Sequence, residues 1–219
     1  MQDIYEALEA IKAGGAVVYP LFLLGIIAIA IILDKIYVYY RFLEINPSLM
    51  LLIESYGFDW EALNIGIKEL GPNNYYTRFI QVILENKSHP SWWVESRAND
   101  ESQLIEKALS RYLWVLETIV TAAPLLGLLG TITGMMHSFQ LFGGSGLVDP
   151  TGVTGGVAQA LIATGIGLFI AIIALFAFNY FSKQQAHVLD ELERIGTRLL
   201  DNIRLAEEKS DSLPRSHLK

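Results

Sequence analysis

The stretch TIVTAAPLLGLLGTITGMMHSFQLFGGSGLV, residues 118–148, contains no Asp, Glu, Lys or Arg. After Asp149 the segment PTGVTGGVAQALIATGIGLFIAIIALFAFNYFS, residues 150–182, is equally free of them. Each exceeds the roughly 20 apolar residues needed to cross the hydrocarbon of a bilayer, so the pair reads as two membrane helices. The turn Gly143-Gly144-Ser145-Gly146 between them reads as their outer hairpin. Residues 13–33 form a third such run. It follows Asp3, Glu6 and Glu9 instead of a basic leader and is too long for a cleaved signal segment, which makes it an anchor. With 52% of 219 residues hydrophobic and 18% charged, the composition is displaced from that of soluble domains in the same direction.

Orientation follows from the basic residues. Of 16 Lys and Arg, only Lys12 precedes the first run and none lies between Ser138 and Ser182. The others fall in 34–111 and 183–219, which the positive-inside rule makes cytoplasmic. The expected layout is a periplasmic N-terminus (1–12), a first span (13–33), a cytoplasmic helical domain (34–111), a second span (112–142), a periplasmic loop (143–152), a third span (153–182) and a cytoplasmic C-terminal helix and tail (183–219). Tyr19, Tyr37, Tyr39, Tyr40, Trp114, Phe178, Tyr180 and Phe181 fit interfacial aromatic belts at these boundaries.

The cytoplasmic middle is punctuated at Asn46-Pro47-Ser48, Gly71-Pro72-Asn73-Asn74 and His89-Pro90, which predicts short helices. From about Asn99 the positions of Leu104, Ile105, Ala108, Leu109, Tyr112 and Leu116 keep helical spacing, and nothing interrupts them before the membrane. The second span is thus expected to be the outer half of one long helix. Leu189, Leu192, Leu199 and Ile203 predict that the third also projects into the cytoplasm, as an amphipathic rod favouring self-association. Residues 210–219 are polar with a proline and are expected to be disordered. The fold class is an all-α integral membrane protein of three transmembrane helices with long cytoplasmic helical extensions, assembling as a ring.

A net charge of −7 without a basic patch argues against nucleic acid. There are no cysteines, no GxxxxGK[ST] loop and no HExxH pair, so no cofactor, metal or catalytic residue is assigned and no enzyme is expected. The glycine-rich hairpin follows a membrane helix and not a strand, unlike a phosphate loop. The charge-free runs also lack the carboxylate that proton pathways use.

Small residues fill the second and third spans at intervals of four. Ala123, Gly127 and Thr131 form one row and Gly130, Gly134 and Ser138 another; Gly156, Ala160 and Thr164, and Ala163, Gly167 and Ala171, repeat the pattern. Such rows let helix backbones approach closely in lipid. Thr131 and Thr164 each lie eleven residues from the outer end of their helix, roughly 16 Å deep. A hydroxyl returned to its own backbone accounts equally well for either one alone. Two at matched depth suggest a polar ring. Glu117, at the cytoplasmic mouth of the second span, reads first as a solvated charge and second as an acceptor for a leaving proton. His137 is an interfacial histidine before it is a relay, Pro124 a kink, and Asp34, Lys35 and Lys183 charged stops before they are partner contacts.

The residues Ala123-Pro124-Leu125-Leu126-Gly127-Leu128-Leu129-Gly130-Thr131, Gly134-Met135, Phe139, Asp149-Pro150, Ala160-Leu161-Ile162-Ala163-Thr164, Gly167-Leu168, Ala171-Ile172 and Asn179-Tyr180 resemble the MotA/TolQ/ExbB proton-channel family. The resemblance covers about residues 112–183, and three spans with the N-terminus outside are nearer ExbB and TolQ than four-span MotA. It implies a homopentamer in the bacterial inner membrane whose second and third helices line a pore. That pore would hold two helices of an ExbD-like or TolR-like single-span partner supplying a membrane Asp. The implied function is an ExbB-like subunit of a proton-motive-force-driven motor energising TonB-dependent transport across the outer membrane, through a TonB-like transducer. A TolQ-like subunit of the Tol system is the alternative, and a structural membrane scaffold without ion conduction the alternative of another class. The family's pore threonines fall on Thr131 and Thr164. Gln159 stands where some ExbB proteins carry Glu; it holds a hydrogen bond or water but does not exchange a proton.

Overall fold

The structure, a computed structural model, describes residues 16–43, 47–54, 59–140 and 150–212, and within them all side chains except those of 140, 150–153, 159 and 210–212. The expected periplasmic N-terminus, the Gly143-Gly144-Ser145-Gly146 hairpin with Asp149, and residues 213–219 lie outside the described residues. Every regular element among those described is an α-helix: α1 (Val18–Phe42), α2 (Pro47–Glu54), α3 (Trp60–Leu70), α4 (Tyr75–Asn86), α5 (Ser91–Leu109), α6 (Leu113–Gln140) and α7 (Pro150–Ser212). Three helical stretches are long and apolar enough to cross a membrane: Val18–Phe42, Ser91–Phe139 and Thr154–Lys209. At most 28% of their apolar windows is buried within the chain, so most of that surface is left for lipid or other chains.

The chain divides into two compact units, 1–34 with 112–181 and 35–111 with 182–219. In the first, α1 buries Val18, Leu21, Ala28 and Ile31, one helical face, and exposes Phe22, Ile26, Ile29 and Leu33. Gly25 leaves room for Ile170, 3.4 Å from where a Cβ would stand. Pro124 is accommodated inside α6, which continues beyond it to Gln140.

The second unit is a soluble-type helical core. Leu63 and Ile67 of α3, Phe79, Ile80 and Ile83 of α4, Val94 and Ile105 of α5, and Leu192, Ile195, Leu199 and Ile203 of α7 form a single buried cluster. Two of its helices, α3 and α4, are started by side-chain caps. Asp59 accepts from the Glu61 amide at 2.8 Å, and Asn74 from the Tyr76 amide at 2.9 Å. Gly71, at φ 83°, follows the end of α3, a conformation that glycine adopts without steric cost. The buried Tyr76 hydroxyl donates to Glu191; burial first, and then this carboxylate, raise its pKa, so it stays a neutral donor.

Two expectations are corrected here. The apolar stripe of α7 beyond residue 182 is not free for self-association: Leu192, Leu199 and Ile203 are buried against α2 to α5 of the same chain, and Leu189 packs beside them. Nor is residue 99 onward one helix. The helix α5 ends at Leu109, Tyr112 has φ 65°, and α6 starts at Leu113. Holding a tyrosine in the left-handed region costs about 1–2 kcal/mol, so tertiary structure must impose the break.

Candidate functional site

Along α6, Leu116, Ile119, Ala123, Gly127, Gly130 and Ser138 are buried, with Gly134 half-buried between the last two. Along α7 between residues 154 and 180 the buried residues are Ala160, Ala163, Gly167, Ala171 and Ala174. Steps of three and four place each set on one face, so the two rows of small residues per helix are a single stripe. The stripes face each other. A Cβ on Gly127 would stand 3.0 Å from Thr164 Cα, one on Gly134 2.9 Å from Ala160 Cβ, and one on Gly130 2.6 Å from Ala163 Cβ. At Gly167 it would stand 2.5 Å from the Ala123 carbonyl oxygen and 3.2 Å from Gly127 Cα. Backbone meets backbone there because side chains are missing from both sides, which is how helices gain dispersion contact in lipid.

Thr164 is half-buried at this seam, and its Oγ1 donates to the Gly127 carbonyl oxygen at 2.8 Å, a bond between the two helices. Thr131, one turn beyond Gly127 on α6, is also half-buried; its Oγ1 donates to the Leu128 carbonyl of its own helix at 2.7 Å. Both hydroxyl protons are therefore committed, and each oxygen retains lone pairs to accept a bond from water or a protonated carboxyl group. The helix α7 continues through Gln159, whose side chain is outside those described. Glu117 and His137 are exposed on α6, and Asp34 and Lys183 are exposed near the ends of their charge-free runs.

Lys35 is the residue whose place the sequence does not show. Only 1% exposed, it donates from Nζ to the Leu109 carbonyl oxygen at 2.5 Å, at the end of α5. A lysine after an aspartate at the end of an apolar run looks like a stop, and no local signal ties it to a carbonyl 74 residues away.

These observations define an all-helical membrane protein whose paired helices α6 and α7 meet along a seam of small residues bearing two threonines. Residues 72–194, more than half of the chain, match the MotA/TolQ/ExbB proton channel family. The chain is similar to the ExbB-like 3 biopolymer transport protein of Synechocystis sp., 31% identical over 175 residues covering 77% of this chain and 81% of that protein. It is 41% identical to the biopolymer transport protein ExbB of Xanthomonas campestris over 87 residues, 40% of this chain and 34% of that one. Against the Tol-Pal system protein TolQ of Haemophilus influenzae it is 45% identical over 67 residues, 31% and 29% of the two chains. The chain belongs to the MotA/TolQ/ExbB proton channel family.

Proposed function

We propose that the chain is an ExbB-like subunit of a proton-driven motor in the bacterial inner membrane, working with an ExbD-like single-span partner and a TonB-like transducer. The observation that carries this reading is the α6–α7 seam: two membrane helices locked by backbone contact, bearing Thr131 and Thr164, with no carboxylate in the charge-free runs 118–148 and 150–182 that contain it. A proton carrier must then come from another chain, and a partner's membrane Asp meets that need. The half-buried threonine oxygens and the water they retain lower the cost of ionising that group. Gln159 adds a hydrogen-bonding site, and Glu117 an exposed acceptor at the cytoplasmic mouth.

A homopentameric ring with the N-terminus periplasmic and the C-terminus cytoplasmic is the assembly we favour. The seam uses the small residues within one chain and leaves Leu125, Leu128, Ile132, Leu161, Phe169 and Phe176 uncovered, surface for neighbours, partner helices and lipid. The 45% identity with TolQ over the matched segment keeps a Tol-type role as the second reading. Affinity purification of the full chain from native membranes in mild detergent, followed by native mass spectrometry, tests both. We expect five copies with a single-span protein carrying one membrane Asp; a TolA-like protein in place of a TonB-like one selects the second reading. A stable monomer or dimer free of any such protein, in detergent and in lipid nanodiscs, would refute the assembly.

A further inference from the structure

Pro124 stands inside α6, and a proline has no N–H to give. The carbonyl four residues back, that of Val120, therefore loses the amide that would close its turn. In a membrane-spanning helix such a freed group is taken up by Ser or Thr side chains, by a neighbouring helix or by ordered water. The first two sources fail here. Thr118 donates to the Trp114 carbonyl at 2.8 Å and Thr121 to the Thr118 carbonyl at 2.9 Å, so the nearby hydroxyl protons go to other oxygens. Across the seam, beyond the point where Gly167 meets Ala123, residues 168–178 of α7 carry only apolar side chains.

Steps of three and four place Glu117, Val120, Pro124, Gly127 and Thr131 in one line along α6. Val120, Pro124 and Thr131 are half-buried, and Glu117 is exposed. The helix α1 lies against the other flank of the seam, with Gly25 facing Ile170 and Val17 beside Gly130. The line that carries the threonine is thus left to water or to other chains. Glu117 favours water: it is a charged group less than one turn from Val120, about 4.5 Å along the axis, and it keeps solvent at that end of the line. We propose that Pro124 holds the Val120 carbonyl oxygen open as a water site on the threonine flank, between Thr131 and Glu117. The water donates one proton to that oxygen and keeps a second proton and two lone pairs for its neighbours, so it can both accept and pass on a proton. The site itself stands on α6 alone. Its use as a step for protons moving between Thr131 and Glu117 rests on the function proposed above.

The test reads the carbonyl directly, by solid-state NMR of the full chain in lipid bilayers. Valine labelled with 13C at the carbonyl and threonine labelled with 15N select only Val120-Thr121 and Val153-Thr154, and Val153→Ile removes the second pair. Magnetisation should reach the Val120 carbonyl faster from water protons than from lipid acyl chains. Pro124→Ala supplies the missing amide, returns the carbonyl to the helix and should lower the water transfer severalfold. Lactic acid at position 124, introduced by nonsense suppression, makes an ester with neither ring nor N–H. It leaves the Val120 oxygen without a donor and should keep the water, whereas a role confined to the proline kink would be lost in both variants. Slower transfer from water than from lipid in the unaltered protein, or an ester variant as dry as Pro124→Ala, overturns the site. In liposomes holding the complex, proton flux should fall about tenfold in Pro124→Ala, equivalent to about 1.4 kcal/mol in a barrier, and be retained in the ester. Unchanged flux with the water gone overturns the proton step. A wet Val120 in a complex that passes no protons at all refutes the proposed function and leaves the water site standing.

Discussion

Gly167→Leu should all but abolish folded protein in the membrane, while Gly165→Leu two residues away should leave it unchanged. A Cβ at Gly167 would lie 2.5 Å from the Ala123 carbonyl oxygen and 3.2 Å from Gly127 Cα. Both obstacles are backbone, so no rotamer change relieves the clash and the two helices must separate. Separation loses the contacts of Gly127, Gly130 and Gly134 together, because they share one seam. The cost lies at or above the top of the range for overpacking, about 3 kcal/mol, within a protein whose total stability is only a few times that. At Gly165 nothing lies within 4 Å, and the same leucine enters open apolar space. Fluorescence-detected size exclusion of membrane extracts before and after a heat challenge reads the difference. Equal recovery of the two variants would mean that α6 and α7 do not meet along this face.

Thr131→Val and Thr164→Val should each leave the complex assembled and reduce proton-dependent transduction about tenfold or more, equivalent to about 1.4 kcal/mol in an activation barrier. Magnitudes separate the two possible roles of the hydroxyls. The Thr164 hydroxyl bonds across the seam to the Gly127 carbonyl, so valine removes an interhelical hydrogen bond. In membranes such bonds contribute about 0.6 kcal/mol on average, too little to dismantle a helix pair. The Thr131 hydroxyl bonds only within its own helix, and its loss should hardly change stability. A large functional loss with intact assembly therefore reports on the oxygens as acceptors. Thr131→Ser and Thr164→Ser keep the hydroxyl and should retain most activity. Growth on a substrate that requires energised uptake, with complex levels measured alongside, is the readout. Normal growth of the double valine variant would return both threonines to helix packing.

The membrane part of this architecture was legible because its signals are local. Charge-free runs mark the spans, and small residues at intervals of four mark the faces that meet. The two rows per helix merged into one stripe because alternate steps of three and four keep Ala123, Gly127, Gly130 and Gly134 on the same side. What stayed hidden depends on long-range partners. An apolar stripe at Leu192, Leu199 and Ile203 shows that something covers the helix but not that α2 to α5 do so. Ser110-Arg111-Tyr112 contains no helix breaker, and Lys35, which donates to the Leu109 carbonyl, lies far away from it in sequence. The bond from Thr164 to Gly127 was equally unreadable, since a threonine in a helix has its own backbone within reach.

The most direct measurement is proton flux into liposomes under an imposed potassium diffusion potential, followed with a pH-sensitive dye in the lumen. The chain reconstituted with the single-span partner proposed for it should pass protons faster than empty vesicles. Changing the partner's membrane Asp to Asn, or introducing Thr131→Val with Thr164→Val, should bring the flux back to that baseline. A complex of the correct composition that never exceeds the baseline, or one whose flux is indifferent to the partner's Asp, would contradict the account.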